Sequence, residues 1–269
     1  RMGKTPTLSK AVQDTESEII AFSDANAMYA PDAVQYLVAP FCDSEVGSVC
    51  GKLGYLNQED TSISQGERLY WNYENQLKQL ESRFNSLIGA NGSIYALRRS
   101  AFTAIDPDLS DDLGLPLAAY ARGFRVVYQP EALSTEEAPN SALTGFKKKS
   151  RFVAHQLTTL ARLWPQLRPF TDARFLFQVA SHKLMRNLVP FFLILLMAIS
   201  SATSSSLSAV LFWLQAAFYS LGLLGGITHS FGISARLLMI PVYFCTVNAA
   251  AANGVIQFFL KRDYSAWQD

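Results

Sequence analysis

The chain has 269 residues, 49% hydrophobic and 17% charged, too apolar for a disordered tail and long enough for a domain plus something more. A net charge of +1 argues against a nucleic-acid binder, which needs a concentrated excess of Lys and Arg over its binding face. The average hides a split that rules out a wholly soluble protein: residues 1–186 hold 20 Lys/Arg and 20 Asp/Glu, whereas residues 187–260 hold one formal charge, Arg236. Cys42, Cys50 and Cys245 have neither a metal-like spacing nor the count of a disulfide framework. The chain opens Arg1-Met2-Gly3-Lys4 without a cleavable apolar signal, as a fragment of a longer protein would.

Up to about residue 140, short β-like runs alternate with helical periodicity. Residues 19–22 read as a buried strand ending at Ser23-Asp24-Ala25-Asn26, and Ala30-Pro31-Asp32 as a helix start with proline and an acid in its first turn. Residues 46–54 suit a second strand. Leu69, Tyr73, Leu77, Leu80 and Phe84 recur at spacings of four, four, three and four, a helix on which Glu74 and Lys78 form an ion pair four apart. Then follow Gly89-Ala90-Asn91-Gly92, a strand over 93–97, a helix beginning near Asp111, and a strand over 124–128 stopped by Pro130. The alternation predicts an α/β layered domain with a largely parallel sheet, and ligands sit at the carboxyl ends of such strands, where Asp24 falls.

Residues 141–186 are basic and amphipathic. From Pro139 to Arg186 nine Lys/Arg stand against one acid, Asp172, a surface suited to anionic lipid headgroups. Val153, Leu157, Leu160 and Trp164 make an apolar stripe that fits either a helix in the membrane interface or an ordinary helix packed on the domain. In the third part, 187–262, residues 207–228 and 237–260 are uncharged runs of 22 and 24 residues, enough to cross a hydrocarbon core that needs about 20. Residues 188–203 are shorter: they span if Lys183 and Arg186 snorkel to the headgroups and otherwise form a re-entrant or interfacial helix, giving two or three membrane helices. The basic run places the soluble part in the cytoplasm of a plasma- or inner-membrane protein, with the neutral loop 200–206 outside. Three spans then put Arg236 inside and Lys261-Arg262 outside, against the same rule.

The chain has no phosphate-binding Gly-x-x-x-x-Gly-Lys-[Ser/Thr] loop and no His/Cys metal constellation. Carboxylates at element ends stand out instead. Asp24 and Asn26 offer a carboxylate and an amide oxygen, hard ligands suited to Mg²⁺ or Mn²⁺ bridging a diphosphate, although both types are also ordinary turn residues. Asp111-Asp112 at a helix start could supply a general base, its ionisation opposed by the like-charged neighbour, while the helix dipole alone would also place acids there. His155, His182 and His229 are isolated and read as structural or surface residues.

The order of these pieces resembles the membrane glycosyltransferases of family 2, the group of cellulose and hyaluronan synthases. The matching residues are Gly3-Lys4 with Leu8-Ser9-Lys10-Ala11, Phe22-Ser23-Asp24-Ala25-Asn26, and the run from Gly89-Ala90-Asn91-Gly92-Ser93 to Arg98-Arg99. Ser110-Asp111-Asp112-Leu113, Gly123-Phe124-Arg125-Val126-Val127-Tyr128 and Ser150-Arg151-Phe152 continue it. The resemblance implies an inverting transferase with a partial GT-A-type, Rossmann-like domain, moving a sugar from a nucleotide-sugar, a UDP-sugar on the leading reading, to a growing polysaccharide. A lipid glycosyltransferase making a glycolipid, and a non-catalytic scaffold retaining the fold, are the alternatives. On this resemblance Asp24 and Asn26 hold Mg²⁺ or Mn²⁺ and the donor diphosphate, with Lys4 and Arg151 also on the donor. Asp112 is the base with Asp111 beside it, and Ala90, Asn91, Gly92, Ser93 and Phe152 line the acceptor site. Asn26 stands where the family has a second Asp, and Lys148-x-x-Arg151-Phe152 only partly reproduces Gln-x-x-Arg-Trp; Lys147, Lys148 and Lys149 read as juxtamembrane basicity. The nucleoside-binding half-domain expected before Gly3 is missing from the pattern.

Overall fold

The computed structural model of the protein describes residues 3–56, 62–137, 142–231 and 237–260. The first elements are α1 (Lys4–Gln13), β1 (Ile19–Phe22), β2 (Met28–Tyr29), α2 (Ala33–Val38), β3 (Val46–Tyr55), α3 (Ser62–Phe84), β4 (Tyr95–Arg98), α4 (Asp111–Tyr120) and β5 (Arg125–Glu136). They build one five-stranded sheet of order β1-β4-β3-β5-β2. Helix α2 covers one face, where Ala33, Leu37 and Phe41 bury against Val49 and Ala96. The opposite face carries Cys50, Tyr95, Leu97, Val126 and Tyr128 toward α4. Residues adjacent along β3 and β4 thus serve opposite layers, as the strand period of two requires.

The expected largely parallel sheet is corrected: only β3 and β5 run parallel, while β1–β4, β3–β4 and β2–β5 are antiparallel. Alternating strands and helices do not fix pairing direction when the connection is as long as that from β1 to β4. The antiparallel pair is what builds the site. Phe22, ending β1, lies opposite Tyr95, opening β4, with rings stacked at 4.6 Å, so the chain after β1 and the chain before β4 meet at one edge.

Pro130 does not end β5. Pairing jumps from Gly51↔Gln129 to Lys52↔Leu133. Proline offers no N–H to the ladder, so the chain bulges out over three residues and then rejoins β3.

Helix α5 (Ala142–Leu167) follows, then a continuous helical stretch made of α6 (Ala173–Gln178), a π-helical segment (Val179–Met185) and α7 (Arg186–Ala202), then α8 (Ser206–Ser230) and α9 (Met239–Phe259). Among the described residues three helices are long and apolar enough to cross a membrane, Ala173–Ala202, Ser206–Thr228 and Met239–Phe259. The first is therefore longer than the span expected from residue 188 onward. The boundary expected at residues 140–141, Arg236 and Lys261-Arg262 lie outside the described residues.

Two helices show which of their faces meets protein. The apolar stripe of α5 lies on protein: Val153 packs on Ala251 and Val255 of α9, and Leu160 joins the main core. Helix α3 forms where its periodicity predicts, but Tyr73, Leu80 and Phe84 are exposed while Glu74, Lys78 and Glu81 are buried at 5–7% exposure. The expected Glu74–Lys78 pair is replaced by longer-range partners. Glu74 accepts from Arg186 Nη1 at 2.6 Å and lies 3.2 Å from His182 Nε2, and Glu81 lies 2.7 Å from His182 Nδ1. Arg186 and Lys183 accordingly turn toward α3 rather than snorkel outward, because buried carboxylates offer nearer counter-charge than headgroups would. His182 is buried in this cluster rather than isolated.

Candidate active site

Four carboxyl-bearing or cationic residues from three elements converge beyond the β1–β4 edge. Asp24 follows β1, Lys4 opens α1, and Asp111 and Asp112 form the first turn of α4 behind Ser110. Lys4 Nζ lies 2.8 Å from Asp24 Oδ1 and 3.2 Å from Asp111 Oδ1, bridging the two. Burial alone would depress the Lys4 ammonium, but Asp111, Asp24 and Asp112 together outweigh it and hold the lysine charged.

The neighbouring aspartates differ in what reaches them. Asp111 is buried, and both its oxygens are occupied: Oδ1 by Lys4 and Oδ2 by the Tyr95 hydroxyl, which donates at 2.9 Å. Asp111 is thus held fixed beside Asp112, as the resemblance placed it, with both oxygens engaged inside the protein. Asp112 is half-buried, with Oδ1 accepting from Ser110 Oγ. Burial and the like charge of Asp111 push its carboxyl up, against the opposing pull of Ser110 and Lys4.

The glycine-rich turn lies between Asp24 and Asp112. A Cβ on Gly92 would stand 2.9 Å from Asp24 Oδ2 and 3.6 Å from Asp112 Oδ2, so the two carboxylates face one space that only a missing side chain leaves open. Ala90 N–H donates to the Asp112 carbonyl at 2.7 Å, fastening the turn to α4. The other expected acceptor residues shape the turn rather than face the cleft. Asn91 is buried, donating through Nδ2 to the Gly51 carbonyl at 2.7 Å and accepting from Lys78 Nζ at Oδ1. Ser93 is buried and accepts from Ser134 Oγ at 3.1 Å. Arg151 and Phe152 are exposed on α5 and are not brought into this carboxylate cluster by any of the contacts just described.

Three contributors escaped the sequence reading. Tyr95 orients Asp111, and Lys78 reaches the turn from α3; both come from residues whose type suggests ordinary core or surface. Glu136, at the end of β5, is the third. The β2–β5 register, Met28↔Thr135, carries it beside Asn26. Burial and Asp24 raise its carboxyl while Asn26 hydrogen-bonds it and lowers it. Its signal in the sequence was hidden by the expectation that β5 ends at Pro130.

Among the described residues no three His, Cys, Asp or Glu side chains are grouped so as to hold a metal ion by themselves. Asp24 Oδ2, not taken by Lys4, and exposed Asn26 are oxygen donors of the kind Mg²⁺ and Mn²⁺ accept, so the set fits an ion that substrate oxygens complete.

A mixed α/β domain with an acidic cleft at one sheet edge, continued by membrane-length apolar helices, is the class this chain defines, and its fold is of GT-A type. Residues 1–154 match the model of glycosyltransferase like family 2, and the chain belongs to that family. An N-acetylglucosaminyltransferase of Neorhizobium galegae is 26% identical over 215 residues, covering 75% of this chain and 48% of that protein. One of Mesorhizobium japonicum is 25% identical over 153 residues, covering 52% and 36%. The chain thus spans less than half the length of these relatives. A solved mannosyltransferase from Pyrobaculum calidifontis, in complex with GDP-Man and Mn²⁺, superposes with a TM-score of 0.68 at 18% identity, over 98% of this chain and 68% of that one.

Proposed function

We propose that the protein is a membrane-bound inverting glycosyltransferase that moves a sugar from a nucleotide-sugar, a UDP-sugar, to a growing polysaccharide on the cytoplasmic side. The observation that carries this reading is the common space over Gly92 faced by Asp24 Oδ2 and Asp112 Oδ2. Asp24 and Asn26 would hold a divalent ion, which when bound offsets the charge of the departing diphosphate. Lys4 adds a fixed positive charge on the same side. Asp112 takes the proton of the acceptor hydroxyl as that oxygen bonds to the anomeric carbon and the bond to the diphosphate breaks. Its raised affinity for a proton, from burial and Asp111, suits it to that task near neutral pH. Asp111, fixed by Lys4 and Tyr95, keeps the local charge in place.

A second reading, transfer to a lipid acceptor, is favoured by the basic side chains gathered where α3 meets the first apolar helix. The cellulose- and hyaluronan-synthase character of the family is part of the first reading and is weakened by Phe152 and Lys148 in the Gln-x-x-Arg-Trp position. The test is incubation of membranes carrying the full-length protein with radiolabelled UDP- and GDP-sugars, followed by separation of polymer from lipid extract. Label in polymer supports the first reading, label in extractable lipid supports the second, and label in neither from any donor overturns both.

A further inference from the structure

The loop that leads into α4 is fastened by one face of α5. His155, Thr159 and Arg162 recur at spacings of four and three, so they share that face. His155 Nε2 lies 2.5 Å from the Asp108 carbonyl, Thr159 Oγ1 accepts from Ser110 N–H at 3.2 Å, and Arg162 Nη2 lies 2.7 Å from Asp108 Oδ2. The arginine is exposed, so its pair contributes little, whereas Thr159 is fully buried. Its neighbour Thr158 does what a helical threonine ordinarily does, donating back to the Ala154 carbonyl at 2.9 Å. Thr159 instead turns its oxygen toward the loop.

Ser110 converts this fastening into control of Asp112. A serine at a helix N-cap ordinarily accepts from the second or third amide of the helix, satisfying one of the unpaired donors there. Ser110 stands at the N-cap of α4 without capping it in that way, and its hydroxyl donates to Asp112 Oδ1. Its backbone is held at both ends, the N–H by Thr159 and the carbonyl by Gly114 N–H at 2.7 Å. With Oδ1 engaged on a serine fixed in this manner, Asp112 keeps Oδ2 toward the space over Gly92. The other side of α5 is equally constrained. A Cβ on Gly254 would stand 2.6 Å from the Ser150 carbonyl oxygen and 2.7 Å from Val153 Cβ, so α9 presses its backbone directly on α5.

We propose that Thr159 is a positioning residue for sugar transfer: it fixes Ser110, whose hydroxyl holds one oxygen of Asp112 and thereby aims the other into the cleft. The inference rests on the reading of Asp112 as the base. A buried N–H needs an acceptor, and valine, of nearly the same shape as threonine, offers none, so the Ser110 amide turns to seek another and the hydroxyl turns with it. Serine keeps the acceptor and loses only a methyl group. The attacking hydroxyl must meet the anomeric carbon in line, so a displaced base slows the reaction while the donor still binds. The base is thus referenced through Thr159 to α5, and through Gly254 to a helix of membrane-spanning length.

The test uses the full-length protein in detergent micelles and measures kcat and KM with radiolabelled UDP- and GDP-sugars plus Mn²⁺ and, without substrate, amide hydrogen exchange over residues 106–112. Thr159→Val is expected to lower kcat about tenfold or more with KM for the donor within about twofold, and to speed exchange over that loop. Thr159→Ser recovers kcat to within about threefold of wild type. Thr158→Val, which alters the back-bonded neighbour, leaves kcat and exchange unchanged. In a Ser110→Ala background Thr159→Val lowers kcat by less than about twofold more, because both act on Asp112 through one hydroxyl. If Thr159→Val fails to melt cooperatively, Thr159→Ala removes the same acceptor with a smaller side chain and decides in its place. Wild-type kcat in the folded variant, a Thr159→Ser protein as impaired as Thr159→Val, or full additivity with Ser110→Ala overturns the proposal. A wild-type protein that transfers from no donor overturns the sugar-transfer reading, and quickened exchange in Thr159→Val then still supports the fastening of the loop. An active wild type with unchanged exchange and kcat in Thr159→Val overturns this inference alone.

Discussion

The cleft and the α3 cluster use similar side chains to opposite ends. In the cluster, Glu74 and Glu81 are both answered by His182, with Arg186 adding to Glu74, and burial is compatible with ionisation because partners are close. Burial would raise the Glu74 carboxyl, but His182, Lys183 and Arg186 reverse this and hold it well below its usual range. In the cleft, three aspartates share one lysine. Two of them bind it, and Asp112 is left with a hydroxyl and a like-charged neighbour. The lesson is that satisfied charge rigidifies whereas deliberately under-satisfied charge keeps an affinity for an incoming proton or cation.

That contrast can be broken most severely at Asp112. Asp112→Asn in the full-length protein is expected to lower sugar transfer roughly 10²–10⁴-fold with expression and melting temperature retained; turnover equal to wild type would remove Asp112 from its role. On the other side, Arg186→Met leaves Glu74 buried with fewer partners. It should cost roughly 3 kcal/mol, the lower end for a broken buried pair because Arg186 is partly exposed, read as a lowered unfolding temperature in detergent with donor binding retained. Because Glu74 is depressed in the folded state, its contribution is present above the ordinary carboxyl value of about 4.3 and fades as pH falls below it.

Gly92→Ala sharpens the comparison more gently. Its new methyl group would sit 2.9 Å from Asp24 Oδ2, so KM for the nucleotide-sugar should rise several-fold while stability changes little. The smallest effect expected is on pH dependence. Asp112 must be ionised to accept a proton, and Lys4 lowers its pKa while Asp111 raises it. Lys4→Met should therefore move the acidic limb of kcat/KM to higher pH, and Asp111→Asn should move it to lower pH, each by about one unit or less. Shifts of the same sign in both variants would contradict this charge arrangement.

Much of the cleft was legible because its residues are chemically conspicuous. Asp24 and Asn26 after an apolar strand, and Asp111-Asp112 before a helical run, stand out by type and position. Their convergence was not legible, since it depends on β1 pairing antiparallel with β4 across some seventy intervening residues, and no local pattern encodes that register. Helix α3 shows the limit of periodicity most clearly. The spacing of Tyr73, Leu80 and Phe84 identifies a helix correctly, yet it cannot say which stripe faces protein when the other side adjoins apolar helices. Proline misled in a related way: Pro130 breaks the ladder only locally, and the strand beyond it delivers Glu136 to the site.

The inside-out arrangement of α3 has a practical corollary for anyone wishing to crystallise a soluble portion. The match to the family model stops at residue 154, yet the partners of Glu74 and Glu81 come from residues 182 and 186. A recombinant product cut at the similarity boundary would present a greasy ridge to water and strand two acids on its inner side. The unit that folds is larger than the one the family model delineates, and the first apolar helix is part of its foundation.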